Sequence, residues 1–472
     1  MIIEMNNKHI IHHLLSSALI LLGAFAAAGC SYDDNQAFSV TAPRLVASTP
    51  ADGTTDLGAG TLVVTLSYDQ KIHADSAQLA LVTAGDATID SIKTRISSII
   101  VYLSGLNLDK EYKVDVPAGV VEGASGVSAD EASVSFSTIR LNNDGLKLCT
   151  PNASNEAVRL FNYLLDGRGL RTLSSTMACV NWNTNEAEWV YSHTGKYPAI
   201  NCFDYIHFRE SFVDYANTKV AEDWWNNGGI VAAMWHWQMP ANGGGYSYTP
   251  GRGADQTSFD IRKIDDPNSE EYKQIVADLD KVAGYLKLLQ QKHIPVIWRP
   301  LHEAAGNYYH TEWNGTAWFW WGYYGPEYFK KLWHLMYDRF VNVNGLDNLI
   351  WVWVYEGHDE WYPGDEYVDV VGCDDYNQKN PTSFANQYDA MIRYKNKLAA
   401  LTECGSVAKI SDQWKAGARW AWFMPWYDYD RTNNVSGAAF QSTDHQHANI
   451  DWWRDALQQD YVVTRDELPS FK

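Results

Sequence analysis

The sequence predicts an α/β protein in two parts, a (β/α)8 TIM barrel preceded by a small all-β sandwich. Three observations carry that prediction. All 21 tryptophans lie at or beyond Trp182, so the chain changes character part-way along. Residues 41–139 are rich in Val, Thr, Ser, Ala and Gly, in short alternating runs broken by turn residues. From 142 to 472, apolar strand-like runs alternate with helix-like segments, the pattern of a parallel barrel. A length of 472 residues is too great for one typical domain and fits two.

Residues 1–29 read as an export signal. Lys8 precedes an apolar run at 14–28 that is too short to span a bilayer comfortably and ends in small residues. Ala26-Ala27-Ala28-Gly29-Cys30 resembles a bacterial lipobox, which implies cleavage before Cys30 and acylation of its thiol. Ser31-Tyr32-Asp33-Asp34 follows, similar to the acidic tag of surface-exported lipoproteins, and 30–40 is a linker. The chain is therefore expected at the outer membrane, facing out, with the lipid as its one membrane contact. No later segment is long and apolar enough to be transmembrane.

The sandwich is expected at 41–139. Runs such as Thr61-Leu62-Val63-Val64-Thr65-Leu66 are separated by Ala51-Asp52-Gly53, Ala84-Gly85-Asp86 and Gly123-Ala124-Ser125-Gly126, as strands and turns should be. Ser48-Thr49-Pro50-Ala51-Asp52-Gly53 ahead of a strand resembles the opening of bacterial Ig-like domains. Without tryptophan it lacks the usual sugar-stacking platform, so a spacer is expected rather than a carbohydrate-binding module.

In the barrel domain, 142–472, strands are expected at 176–182, 199–207, 230–237, 295–303, 348–355, 368–376, 398–404 and 418–426. Helices are expected at 210–226, 270–292, 326–343 and 382–397. The helical signal is clearest at 272–292, where Ile275, Val276, Leu279, Val282, Leu286 and Leu289 recur near helical spacing.

Charge and cysteine usage exclude several functions. A formal net charge of −20 with no basic run beyond the N-terminus excludes a nucleic-acid partner, which needs clustered Lys and Arg. Cys149, Cys179, Cys202, Cys373 and Cys404 are odd in number and lack C-x-x-C spacing, giving neither a disulfide framework nor a zinc site. The last four lie in apolar runs and are expected to be buried as small hydrophobes. No cofactor and no metal is expected, and the chain reads as a monomer.

Polar residues at the C-terminal ends of barrel strands face the active site. Those positions hold Asp204 and His207, Trp235 and His236, His302 and Glu303, Glu356, Asp374, Asp375 and Tyr376, Glu403, and Trp426. An acid buried after a run such as Leu398-Ala399-Ala400-Leu401-Thr402 costs free energy unless partners or chemistry justify it. Two converging acids with aromatics suit glycoside cleavage, one protonating the leaving oxygen and the other attacking or activating water. This reading leaves the acids unranked, since some can cap helices or pair with arginines such as Arg299.

The run Trp298-Arg299-Pro300-Leu301-His302-Glu303, followed by Ala317-Trp318-Phe319-Trp320-Trp321-Gly322, resembles the fourth-strand signature of glycoside hydrolase family 26. So do Gly228-Gly229-Ile230-Val231 leading to Trp235-His236, Asp369-Val370-Val371-Gly372 leading to Asp374 and Tyr376, and Leu401-Thr402-Glu403-Cys404-Gly405. These motifs stand in the family's order and span 150–460. The resemblance implies a retaining endo-β-1,4-mannanase acting on β-mannan, galactomannan or glucomannan. It implies Glu303 as general acid/base and Glu403 as nucleophile, with His302 orienting the nucleophile and Tyr376 hydrogen-bonding it. Trp235 and His236 would line the non-reducing side, and Trp318 and Trp426 would be aromatic platforms.

Two departures bear on specificity. Residues 304–317 are longer than the family pattern, and Tyr427-Asp428 follows Trp426 where some mannanases carry an arginine that reads the distal mannose. The family also includes enzymes acting on mixed-linkage glucan and β-1,3-xylan, so the backbone sugar stays open. Two other classes compete. A metal-dependent hydrolase could use mouth histidines with acids, or Asp444-His445-Gln446-His447, although that loop reads as solvated. A surface glycan-binding protein could keep the barrel without catalysis, but both expected acids are intact.

Overall fold

The computed structural model describes residues 40–179, 182–309, 317–394 and 397–472. The lipobox and Cys30 lie outside these residues. Ala42–Lys472 form one compact unit.

The alternation in the first part produces two small sheets. Leu45–Thr49, Gly60–Tyr68, Ser98–Leu106 and Thr88–Thr94 form an antiparallel sheet in that order. Thr54–Leu57, Ala132–Thr138 and Glu111–Val116 form the second. Alternate side chains point to opposite faces, so Val64, Leu66, Val101 and Leu103 meet Val114, Val134 and Phe136 in a separate core. The sandwich presses closely on the barrel. A Cβ at Gly60 would fall 2.0 Å from the Ala416 carbonyl oxygen, and one at Gly417 would fall 2.3 Å from that of Ala59. Both glycines have positive φ, which a larger residue adopts only at a cost. Arg393 donates to the Asp56 carbonyl at 2.8 Å, and Leu108 and Leu141 pack on the barrel's core.

The barrel closes through eight parallel strands: β1 Thr172–Met177, β2 Ile200–Asp204, β3 Ile230–Trp235, β4 Val296–Pro300, β5 Leu349–Val354, β6 Val370–Tyr376, β7 Leu398–Gly405 and β8 Trp422–Pro425. Neighbours pair in sequence order and β8 returns to β1. Strand β1 starts and ends earlier than the expected 176–182, and its polar residues Ser174 and Thr176 find buried partners in the Val463 carbonyl and Asn201. The long helix is observed at Glu270–Gln290, burying Ile275, Leu279, Val282, Leu286 and Leu289. The helix expected at 210–226 is confined to Lys219–Asn226. Asp214 and Asn217 accept from backbone amides two residues on, turning the preceding chain instead. Cys179, Cys202, Cys373 and Cys404 are buried and Cys149 is half-buried, and none of the five is in a disulfide.

Candidate active site

The site is organised around a buried cation. Arg299 sits on β4 inside an otherwise apolar run and is 3% exposed. A charge there must be paired. Its Nη2 donates to Glu403 Oε2 at 2.5 Å and its Nη1 to Asp374 Oδ2 at 2.6 Å. Burial alone would lower the guanidinium, but the two carboxylates outweigh it and raise it. Asp374 also accepts from Thr402 Oγ1 at 2.7 Å. Burial pushes its carboxyl up to about 7 while Arg299 pulls it down.

A bulge makes this arrangement possible. Cys373 pairs with Leu401 but Asp374 pairs with Glu403, so Thr402 is an extra residue on β7. Bulges redirect side chains at barrel rims, and here one sets Glu403 directly beside Asp374. The second oxygen of Glu403, Oε1, accepts from the Tyr376 hydroxyl at 2.6 Å. Burial and then the Glu403 charge push the Tyr376 phenol up, so it remains a donor.

Glu303 has a different setting. It follows β4 in a sharp turn where Leu301 and Glu303 both have left-handed backbone, φ 49° and 48°. Non-glycine residues in that region are strained and cluster at functional sites. Burial, followed by the charges of Glu403, Asp374 and Glu356, raises its carboxyl well above the ordinary range. Glu356, after β5, accepts from the Ala305 amide at 2.7 Å, and burial pushes it up to about 8.

Three sequence-selected groups, His302, His236 and Trp426, are linked by ring contacts, and a fourth, Trp318, is exposed. His302 is buried and edge-on to His236, ring centroids 4.5 Å apart. Burial first, then His236 and Arg299, hold its imidazole well below the usual range, hence neutral. His236 is fixed by Asp204, which accepts from its backbone amide at 3.0 Å and meets its Nδ1 at 2.6 Å. Trp426 stands 5.8 Å from the His236 ring. Trp318 is 51% exposed, while Phe319, Trp320 and Trp321 beside it are buried, as expected for a run that cannot all face a cleft.

Trp235 is a correction. It has no exposed surface and stacks on Trp237 at 4.1 Å, so it supports the wall instead of lining it. The reason is the strand period: successive residues point to opposite faces, and at this position the partner that reaches the mouth is His236. The 444–447 loop also differs from expectation. His445 is buried against Glu186 rather than solvated, because the helix Asn185–Thr194 carries that acid inward. His447 lies edge-on to Tyr376 at 5.6 Å. Among the described residues, no group of three His, Cys, Asp or Glu is placed to hold a metal ion.

Sequence reasoning undervalued Arg299, Asp374 and Thr402. The available signal was a cation within Val296-Ile297-Trp298-Arg299-Pro300, which demanded acids from elsewhere in the barrel. The bulge that selects those acids has no signature in composition or periodicity.

Residues 149–449 match the model for glycosyl hydrolase family 26, and 39–138 match a bacterial Ig-like domain. A mannan endo-1,4-beta-mannosidase of Thermothelomyces thermophilus is 33% identical over 383 residues, covering 76% of this chain and 73% of that protein. A mannan endo-1,4-beta-mannosidase A from a Piromyces species is 30% identical over 337 residues, 69% of this chain, which spans about half (51%) of that relative's length. The solved GH26 domain of an endo-beta-mannanase/endo-beta-glucanase from Prevotella bryantii superposes with a TM-score of 0.60 at 35% identity, covering 68% of this chain and 99% of that one.

Proposed function

The chain belongs to glycosyl hydrolase family 26, and from that premise we propose that it is a retaining endo-β-1,4-mannanase acting on mannan-type polysaccharide. The observation that carries the assignment of roles is the unequal setting of its two mouth glutamates. Glu403 accepts from Arg299 and Tyr376, and such donors favour a charged oxygen. Glu303 is raised well above the ordinary range by burial and neighbouring acids, which suits a proton donor.

In the first step Glu403 attacks the anomeric carbon while Glu303 protonates the departing glycosidic oxygen. The bond to the leaving sugar breaks as the ester bond to Glu403 forms. In the second, water attacks the same carbon, gives its proton to Glu303 and releases Glu403, so the β configuration is restored. Arg299 keeps a partner throughout. When Glu403 becomes a neutral ester, Asp374 still faces the guanidinium, and no buried charge is left unpaired. His236 and Trp426 supply contacts on the glycone side, and Trp318 supplies an aromatic face.

The test is a product profile by NMR and chromatography on mannan, glucomannan, mixed-linkage glucan and β-1,3-xylan. The reading expects the fastest internal cleavage on mannan-type backbones and a β-anomer as the first product. An α-anomer appearing first would overturn the two-step mechanism. Faster cleavage of mixed-linkage glucan or β-1,3-xylan would keep the family chemistry and overturn the substrate. We also propose attachment to the outer membrane, exposed outward, through lipid on Cys30, supported by the lipobox-like 26–30. Cys30→Ser should release an active enzyme from the membrane fraction; unchanged fractionation would contradict the anchor.

A further inference from the structure

Next to Glu303, the loops that follow β4 and β5 are fastened to each other. The Ala305 amide donates to Glu356. Farther out, Trp361 Nε1 donates to the Tyr309 hydroxyl at 3.0 Å, and that hydroxyl donates to Glu360. The Tyr308 ring meets Trp361 edge-on at 5.3 Å. The Tyr309 ring is thereby held against the His358 imidazole, with centroids 4.0 Å apart and planes inclined by 32°. Yet Tyr309 remains 41% exposed.

An exposed tyrosine usually moves freely. This one has its hydroxyl engaged twice and its ring backed by an imidazole, so it loses little further freedom when something binds. Aromatic rings favour flat apolar partners, and a β-linked pyranose offers such a C–H face. Trp318 is seated on Gly306, where a Cβ would come within 2.3 Å of its indole. Gly306 in turn donates to the Glu303 carbonyl at 3.1 Å. The order along this loop is therefore Glu303, the seat of Trp318, then Tyr309. The group that protonates the leaving oxygen stands on the leaving-group side, and so does the loop that carries it.

We propose that Tyr309, backed by His358, is a stacking platform for a backbone sugar of the leaving group, one step farther from the scissile bond than Trp318. The proposal rests on Glu303 being the acid/base of a mannanase. It makes Tyr309 a determinant of where along a chain the enzyme cuts, and it gives the long loop after β4 a specificity role.

The test uses the full chain with two probes. One is mannohexaose labelled with 18O at its reducing end, which reports cleavage position. The other is an aryl β-mannobioside, whose leaving group has no sugar to stack. For Tyr309→Ala, kcat/KM on the hexaose should fall roughly three- to tenfold, with cuts moving toward products that carry fewer sugars on the reducing side. On the aryl mannobioside the same variant should match wild type. Tyr309→Phe keeps the ring but loses both hydrogen bonds, and its cleavage pattern should stay close to wild type. An unchanged pattern in Tyr309→Ala would overturn the platform. So would an equal loss on the aryl substrate, or a Tyr309→Phe shift as large as that of Tyr309→Ala. Wild-type enzyme unable to cut mannohexaose would instead overturn the mannanase reading, and that result is visible without any variant.

Discussion

The two sides of the barrel mouth surround the same functional group in opposite ways. On the β7 side, Glu403 is 6% exposed and both of its oxygens are satisfied, one by Arg299 and one by Tyr376. On the β4 side, Glu303 sits in strained backbone among acids, and its carboxyl is raised. The lesson is that role follows from surroundings. One carboxylate is surrounded by hydrogen-bond donors and the other by burial and like charges, from identical side chains. The wiring is also shared, because Arg299 lies on β4, two residues after Ile297, yet serves the acid of β7.

The strongest way to break this contrast is to remove the cation. Arg299→Met should leave Asp374 and Glu403 buried side by side without compensation, costing about 3–5 kcal/mol of stability and abolishing turnover. Thermal and denaturant melts check the first part. A wild-type melting point would contradict the pairing.

A smaller change weakens only one donor to Glu403. Tyr376→Phe removes a hydrogen bond to a charged group, worth about 1.5–3 kcal/mol, so kcat should fall roughly 10- to 150-fold. Activity equal to wild type would show that this hydroxyl does nothing for the reaction.

The mildest test sharpens the other side. Glu356 is among the acids that raise Glu303, and Glu356→Gln removes the charge that Glu356 carries once pH passes about 8, while keeping an oxygen for the Ala305 amide. A general acid works only while protonated, so activity is lost as pH rises through the Glu303 value. Taking away a like charge lowers that value, and the alkaline limb of kcat/KM should move to lower pH. A limb moving upward, or not at all, would detach Glu356 from Glu303.

Most of the architecture was legible because it depends on pattern. The barrel's alternation of strands and helices and the long amphipathic helix Glu270–Gln290 follow from periodicity that the sequence carries. Polar strand residues were less legible: Ser174 and Thr176 are buried because their partners lie on other strands. Trp235 was expected to line the subsites together with His236, yet it is fully buried. In the site, the motifs carried Glu303, Glu403, Tyr376 and His302, but not the geometry joining them. Thr402 matters as the extra residue of a bulge, and Arg299 matters through acids 75 and 104 positions away. Such long-range pairings leave no local trace. The close seating of Gly60 on Ala416 is equally silent in the sequence.

The central claim is that the two glutamates differ in role, and one comparison tests it most directly: Glu403→Ala and Glu303→Ala, each assayed on mannan and on a dinitrophenyl β-mannobioside. Glu403→Ala should be inactive on both, because no glycosyl-enzyme forms whatever the leaving group. Glu303→Ala should lose roughly 10²–10⁴-fold on mannan, the usual worth of a general acid. On the dinitrophenyl substrate, which departs unaided, it should give a burst of dinitrophenol followed by slow turnover that azide accelerates. A burst from Glu403→Ala, with Glu303→Ala inactive on both substrates, would reverse the assignment and contradict the account.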